Sequence, residues 1–404
     1  MTIIEEYVSP QSVEPVDGLS EEQVDGSFHL GEVMTIAAAH GANDTYFSFL
    51  PTILPLLIKN LALNTTQAGL LTVFGQIPNL LQPVIGHLAD RKNLKMLVIL
   101  APTISGILIT LVGVAPSFGV AALLLLLAGF SSAGIHAIAP AMVSARAGKK
   151  VGRGMGFFMV GGELGFGIGP LLVVAVIGYL TLKGLPWLMI LGMLASVILF
   201  FRLNDASTVR HAQAEASLPV RQALSEMSGI MLPMMGITVI TGFLTANIVN
   251  FLPTFLSSEG VVFWLAGASL SVVELSGTVG VLVTGLFSDR LGQRNIVFGG
   301  TLFATVFSMG FLMSQGWIQI LMLIGVGLSA FVANPAFLSL IQTRFTRNRS
   351  LANGVYMSIS FILRSIVVVL VGFLADRFGM RPVFVGSALA GLLALPLVFM
   401  LPKK

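Results

Sequence analysis

The chain has 404 residues, 55% of them hydrophobic and only 10% charged, against roughly 25% charged in an ordinary soluble domain. So little charge cannot cover a water-soluble surface, and the absence of cysteine excludes disulfides, thiol catalysis and thiolate metal sites. The formal charge of +4 is divided among short loops instead of forming one basic face, which excludes nucleic acid as a partner.

Residues 1–30 carry Glu5, Glu6, Glu14, Asp17, Glu21, Glu22 and Asp25 and neither Lys nor Arg. A secretory signal needs a positive start and an apolar core, so this segment is expected to be a disordered acidic tail. Apolar runs take over from residue 31. A bilayer core needs about 20 apolar residues per helix. Twelve runs qualify: 31–58, 66–89, 94–115, 118–144, 152–180, 185–203, 228–257, 263–287, 296–314, 317–343, 350–373 and 381–402, numbered below as spans 1 to 12. The polar stretch 204–227, with Asp205, Arg210, His211, Glu215, Arg221 and Glu226, divides them into six and six. The expected fold is an all-α integral membrane protein, with six-helix bundles at 31–203 and 228–402 joined by that linker.

Repetition supports a duplicated chain. Phe49-Leu50-Pro51-Thr52 in span 1 recurs as Phe251-Leu252-Pro253-Thr254 in span 7. A second phrase occurs three times, as Gly86-His-Leu-Ala-Asp90-Arg91, Gly285-Leu-Phe-Ser-Asp289-Arg290 and Gly372-Phe-Leu-Ala-Asp376-Arg377, each where one apolar run ends and the next is about to begin. Seventeen Lys and Arg residues fall on the side of the N-terminus, against four on the other, Lys59, Lys183, Arg377 and Arg381. Basic loops stay in the cytoplasm, so both termini and the linker are expected there. Arg364 remains, inside span 11.

The segments Gly86 to Lys95 and, more fully, Gly285 to Arg294 with Gly292, resemble the loop signature of the major facilitator superfamily. That signature needs a helix end, a turn of positive φ and a carboxylate able to pair with Arg or cap the next helix. Asn93 stands where the first copy would have its second Gly, and Asn is the next most tolerant residue at positive φ. Span 5 reads Gly156-x8-Gly165-x3-Gly169-Pro170, similar to the superfamily's antiporter motif, with Val173-Val174 where a Gly pair is usual. Gly161, Gly165 and Gly169 share a smooth face that lets another helix approach closely, and Pro170 loosens the helix. Two roles are open for this face: tight packing, or the hinge and seal between halves of an exporter. Span 1, His40-x2-Asn43-Asp44-x5-Leu50-Pro51-x2-Leu54-Pro55, is similar to the fosmidomycin-resistance branch of bacterial exporters. Leu81-Gln82-Pro83-Val84-x-Gly86 and Gly129-Phe-Ser-Ser-Ala-Gly134-Ile-His136 extend that likeness. The resemblance implies a monomeric drug-resistance exporter of the bacterial inner membrane.

Ionisable side chains in mid-span cost about 2.5–3.5 kcal/mol on insertion scales, so each needs a reason. Asp44, His136, Glu163, Glu274 and Arg364 are the candidates. At about 1.5 Å per residue, His136 and Glu163 lie roughly 15 Å from the basic side, and Glu274 and Arg364 about 22 Å. Glu274 and Arg364 are level and opposite in charge: an ion pair within the second bundle, or an anion or proton site. Asp44, Glu163 and Glu274 are the proton-coupling candidates. His40, Asn43, His136, Asn250, Asn334, Tyr356 and Arg364 are the substrate-binding candidates, and Gly86, Asp90, Arg91, Gly285, Asp289, Arg290, Gly156, Gly165, Gly169 and Pro170 are the gating residues. No metal cluster, cofactor, nucleotide motif or enzymatic nucleophile is expected. The sequence reads as a proton-coupled antiporter exporting a small drug-like or anionic compound across the lipid bilayer. The alternative is a proton-coupled symporter for a small metabolite.

Overall fold

The computed structural model describes residues 27–89, 92–203, 220–344 and 349–402, without the side chains of 149, 220–226, 285–290, 342–343, 349–351 and 353. Most of the acidic tail, Asp90, Arg91 and residues 204–219 of the linker therefore lie outside the described residues. Val220 already begins a helix, so the last part of the expected 204–227 linker belongs to span 7. Eleven helices are long and apolar enough to cross a membrane. Span 1 completes the set as two helices, Leu30–Phe47 and Phe49–Leu61, instead of the single run expected.

The interruption has a local cause. Pro51 has no N–H to offer the carbonyl of Phe47, and hydroxyls take over part of the bonding: Ser48 Oγ donates to Thr45 O at 2.7 Å and Thr52 Oγ1 to Ser48 O at 3.1 Å. The matching phrase in span 7 behaves alike. There Pro253 follows a π-helical turn, Asn247–Phe251. Its side-chain amides serve the carbonyls upstream, Asn247 to Phe243 O at 3.0 Å and Asn250 to Ala246 O at 3.2 Å. The repeated Phe-Leu-Pro-Thr thus marks the same break in both bundles. Pro78 sits in the 3-10 turn Ile77–Leu81 of span 2, and Pro335 follows the step between Gly316–Ala330 and Ala333–Arg344 in span 10.

Within the first bundle, span 5 (Val151–Leu180) packs along span 1. A Cβ on Gly161 would run into the Ala37 carbonyl, one on Gly165 into Gly41 and Thr45, and one on Gly169 into Ser48. The small-residue face therefore serves packing inside one bundle, not a seal between the halves. Gly156 and Gly86 have open space around them. Gly165→Ala should lower the thermal stability of the purified protein by about 1–3 kcal/mol, the range for overpacking a filled core, whereas Gly156→Ala should be silent in the same melt.

The two bundles meet through spans 1 and 7, 2 and 11, and 5 and 8. On the side away from Leu203 and Val220, called here the far side, a single apolar cluster runs through both bundles, including Phe49, Ile53, Leu71, Phe251, Phe255 and Val371. On the linker side the apolar core is split. Ile36, Ile99, Ile138 and Phe158 belong to one cluster and Met234, Val297, Ile341 and Tyr356 to another, each within its own bundle. The halves are closed together on the far side and have separate cores on the linker side.

Of the three repeated loop phrases, the third is the best described. Asp376, near the end of span 11 (Arg349–Phe378), crosses to the first bundle and caps the start of span 2 (Thr65–Gln76). It accepts from Thr65 N at 2.6 Å, Thr66 N at 2.8 Å and Thr66 Oγ1 at 2.5 Å. A Cβ on Gly372 would meet the Thr65 backbone, so glycine is what lets the two helices close to this distance. The expected positive φ is present at Gly292 (74°) and Gly379 (85°). Asn93 does not share it, because its side-chain oxygen caps the next helix by accepting from Lys95 N at 3.1 Å.

Candidate functional site

In span 1, His40, Asn43 and Asp44 fall on one face by i, i+3 and i+4 spacing, and span 4 (Phe118–Arg146) crosses that face with His136. His40 Nε2 lies 3.0 Å from Asp44 Oδ2 and 3.1 Å from His136 Nε2, while His136 Nε2 lies 3.7 Å from the same carboxylate oxygen. The other nitrogen of each ring is held by backbone: His40 Nδ1 sits 2.8 Å from Phe158 O and His136 Nδ1 2.8 Å from Ser132 O. The His40 ring is stacked on Phe158, centroids 4.0 Å apart. The second oxygen of Asp44 accepts from Asn43 Nδ2 at 2.9 Å, and Asn43 Oδ1 in turn accepts from Ser105 Oγ at 2.8 Å. Ser105 belongs to span 3 (Lys95–Val112). A charged and polar group is thereby shared among four helices of the first bundle, spans 1, 3, 4 and 5.

His40 and Asn43, expected to touch substrate, are committed to this network and buried. His136 differs, with 32% of its side chain exposed. Leu123, Leu127 and Phe130 are exposed apolar residues that mark the outer face of span 4, and His136 lies about 120° round the helix from Phe130.

The second bundle supplies a different group. Asn334, in span 10, accepts through one oxygen from Tyr356 Oη at 2.9 Å and Arg364 Nη2 at 3.3 Å. Among the described residues no carboxylate pairs with Arg364, so of the two readings left open for Glu274 and Arg364 the ion pair is not formed. Glu274, on span 8 (Phe263–Leu291), is 5% exposed, and among the described residues no donor or cation meets its carboxyl. Asn250 is buried, its amide spent on its own helix.

Glu163 is only partly buried; its neighbour Gly162 faces His40 and Asp44, and its helix packs on span 8, which carries Glu274. At this seam of spans 5 and 8 the side chain of Leu275 lies over Gly167, one turn beyond Glu163. Nearby, Thr52 and Val174 close over Gly267.

The sequence pattern of the Major Facilitator Superfamily matches residues 36–368, which is most of the two-bundle region. The chain belongs to the Major Facilitator Superfamily. Among curated proteins it is similar to the fosmidomycin resistance protein of Escherichia coli (strain K12), 23% identical over 96% of this chain and 97% of that one. It is also similar to the uncharacterized MFS-type transporter YfnC of Bacillus subtilis (strain 168), 24% identical over 92% of each. Among solved structures, a bacterial homologue of the human lysosomal transporter Spinster, inward-facing and unoccupied, superposes with a TM-score of 0.73 at 15% identity. That match covers 92% of this chain and 96% of the other. Nucleoside transporter NupG superposes with a TM-score of 0.67 at 15% identity, covering 91% and 98%. As a major facilitator the protein is a multi-pass membrane transporter of a small molecule.

Some functional contacts had no signal in the sequence. Ser105 is one serine in an apolar span, and Asp376 reaches a helix start more than three hundred positions earlier. The side chains of Gly285, Asp289 and Arg290 lie outside the described ones, so the second loop phrase is seen only as the helical end of span 8 and the turn at Gly292.

Proposed function

We propose that this major facilitator is a proton-coupled antiporter of the bacterial inner membrane, exporting a small drug-like or anionic compound by alternating access. The observation that carries the proposal is Glu274, a buried residue whose carboxyl meets no cation or donor among the described residues, on the helix that packs on span 5 of the other bundle. An unpaired carboxylate in such a place costs several kcal/mol. The carboxyl therefore holds a proton while the far side is closed, and can release it when the bundles rock apart and water or a cation reaches it. Glu163, on span 5 across the seam, is the second carrier.

Substrate enters from the linker side, where the two cores are separate, and meets Arg364 and Asn334, with the buried Tyr356 holding Asn334 in place. A guanidinium whose partners, Asn334 and Tyr356, are neutral and which meets no carboxylate among the described residues favours an anionic group. The excess of basic residues in the loops favours a cytoplasmic linker side, in which case this state accepts cargo from within, and the likeness to a resistance protein favours export over uptake.

Proteoliposomes loaded with a panel of anionic and drug-like compounds test the reading. Efflux should require an imposed pH gradient, acidic on the side that receives the compound, and collapse when an ionophore removes the gradient. Uptake driven by protons moving in the same direction as the compound would overturn it in favour of symport. Within the same assay, Arg364→Gln should reduce transport of anions by about 10- to 100-fold, the range expected for losing one or two hydrogen bonds from a charged donor. Arg364→Lys should fall between, because the planar fork is lost and the charge kept.

A further inference from the structure

The geometry points to a divalent transition-metal site formed by His40, Asp44 and His136, of the zinc and cobalt class, with open coordination positions toward His136. A carbonyl oxygen can only accept, so the contacts of His40 Nδ1 with Phe158 O and of His136 Nδ1 with Ser132 O place a hydrogen on both Nδ1 atoms. Each neutral ring then presents its Nε2 lone pair, and both are aimed at the same carboxylate oxygen. Three acceptors within 3.0, 3.1 and 3.7 Å of one another repel unless a proton or a metal cation lies among them.

The separations match a metal. With metal–ligand bonds of about 2.0–2.1 Å, the edge of a coordination tetrahedron is about 3.3–3.4 Å, and the three observed edges straddle that value. Two imidazoles and one carboxylate suit zinc, cobalt or nickel; magnesium and calcium prefer oxygen alone.

The surroundings are those of a ligand set. A metal-binding histidine nearly always donates its remote N–H to a carbonyl, carboxylate or water, and both rings do so here. The non-ligating oxygen of Asp44 is held by Asn43, and Asn43 by Ser105, which leaves Oδ2 free for a metal. Phe158 fixes the plane of His40 by stacking. Gly162 clears room beside the group, since a Cβ there would meet His40 and would lie 2.9 Å from Asp44 Oδ2. Three ligand atoms, with His136 partly exposed, leave a position for water or an oxygen donor of an anion. All three ligands belong to the first bundle, so the ion would pin span 1 to span 4 without bridging the halves.

The test uses full-length protein with any affinity tag removed, in detergent, titrated with Co2+ and read by its visible d–d absorption. One Co2+ per chain should give the spectrum of a low-coordinate nitrogen and oxygen site, and Zn2+ should displace it. His136→Gln, at a partly exposed position that tolerates change, should weaken Co2+ at least about 100-fold. Asn43→Ala, which removes the hydrogen-bond partner of Asp44, should weaken it by about 10- to 100-fold, the usual cost of losing an outer partner. His87→Gln, at an exposed position at the end of span 2, should leave it unchanged. Folding of each variant is checked by its melting curve without metal. Absence of a saturable band in the parent, or a band equally strong in His136→Gln, would show that the cluster holds a proton only and overturn the proposal. Because the readout is binding, it stands or falls apart from the transport mechanism.

Discussion

Glu274→Gln is expected to bring gradient-driven transport down to the level of empty vesicles while preserving substrate exchange in the absence of a gradient. The exchanged atoms are nearly isosteric, and the amide keeps one carbonyl oxygen, so packing within span 8 survives. What is lost is the ability to release a proton. Glu274 is the most enclosed of the mid-span carboxyls without a partner, and its helix packs against span 5 of the other bundle. Movement of the bundles must therefore change its surroundings more than those of Asp44, whose partners His40 and His136 move with it in one bundle. Glu163→Gln should act in the same direction and more weakly, since this side chain is partly exposed and can exchange protons with water. Normal gradient-driven rates in Glu274→Gln would remove it from the coupling path.

Asp376→Ala should release the far-side closure. The carboxylate spans the two bundles and satisfies two backbone N–H groups at the start of span 2, where the helix dipole also favours negative charge. Losing a helix cap costs about 0.5–2 kcal/mol, and one or two kcal/mol corresponds to a factor of about 5–30 in the balance of two states. Because Gly372 and the shared apolar cluster remain, the change shifts that balance without unfolding either bundle. The chain has no native cysteine, so spin labels at Asn60→Cys and Ser258→Cys, one on each bundle at the far side, report the separation cleanly. A longer and broader distance distribution in Asp376→Ala is the expected result; an unchanged distribution would mean that the apolar cluster alone holds the far side shut.

The helical spans were legible because lipid leaves so few options: an apolar run of the right length must be a helix. The internal repeats were legible too, yet their use was not. Phe-Leu-Pro-Thr looked like a marker of duplication and turns out to break both helices, since Pro51 and Pro253 withhold an N–H at the same place in each bundle. The loop phrase reads as a carboxylate that pairs with Arg or caps the next helix, whereas in the third copy Asp376 caps a helix of the other bundle. Which face of span 5 meets which partner also depends on helix rotation, and the glycine face went to span 1 while Gly167 met span 8. His136 shows the same limit. Its spacing from Arg146 gave its depth, but only the crossing of spans 1 and 4 brings it to Asp44. Of the two readings open for Glu274 and Arg364, the ion pair does not form among the described residues, because similar spacing from the basic loops does not make two side chains face each other.

Proton-coupled antiport is tested most directly by recording internal pH and internal substrate together in the same proteoliposomes, loaded with one anionic compound identified from the panel. Antiport requires that each pulse of external acid drive the compound outward while the interior acidifies, in a fixed ratio, with both signals absent in Glu274→Gln. Outward movement of the compound without proton entry, or the two moving inward together, would contradict it.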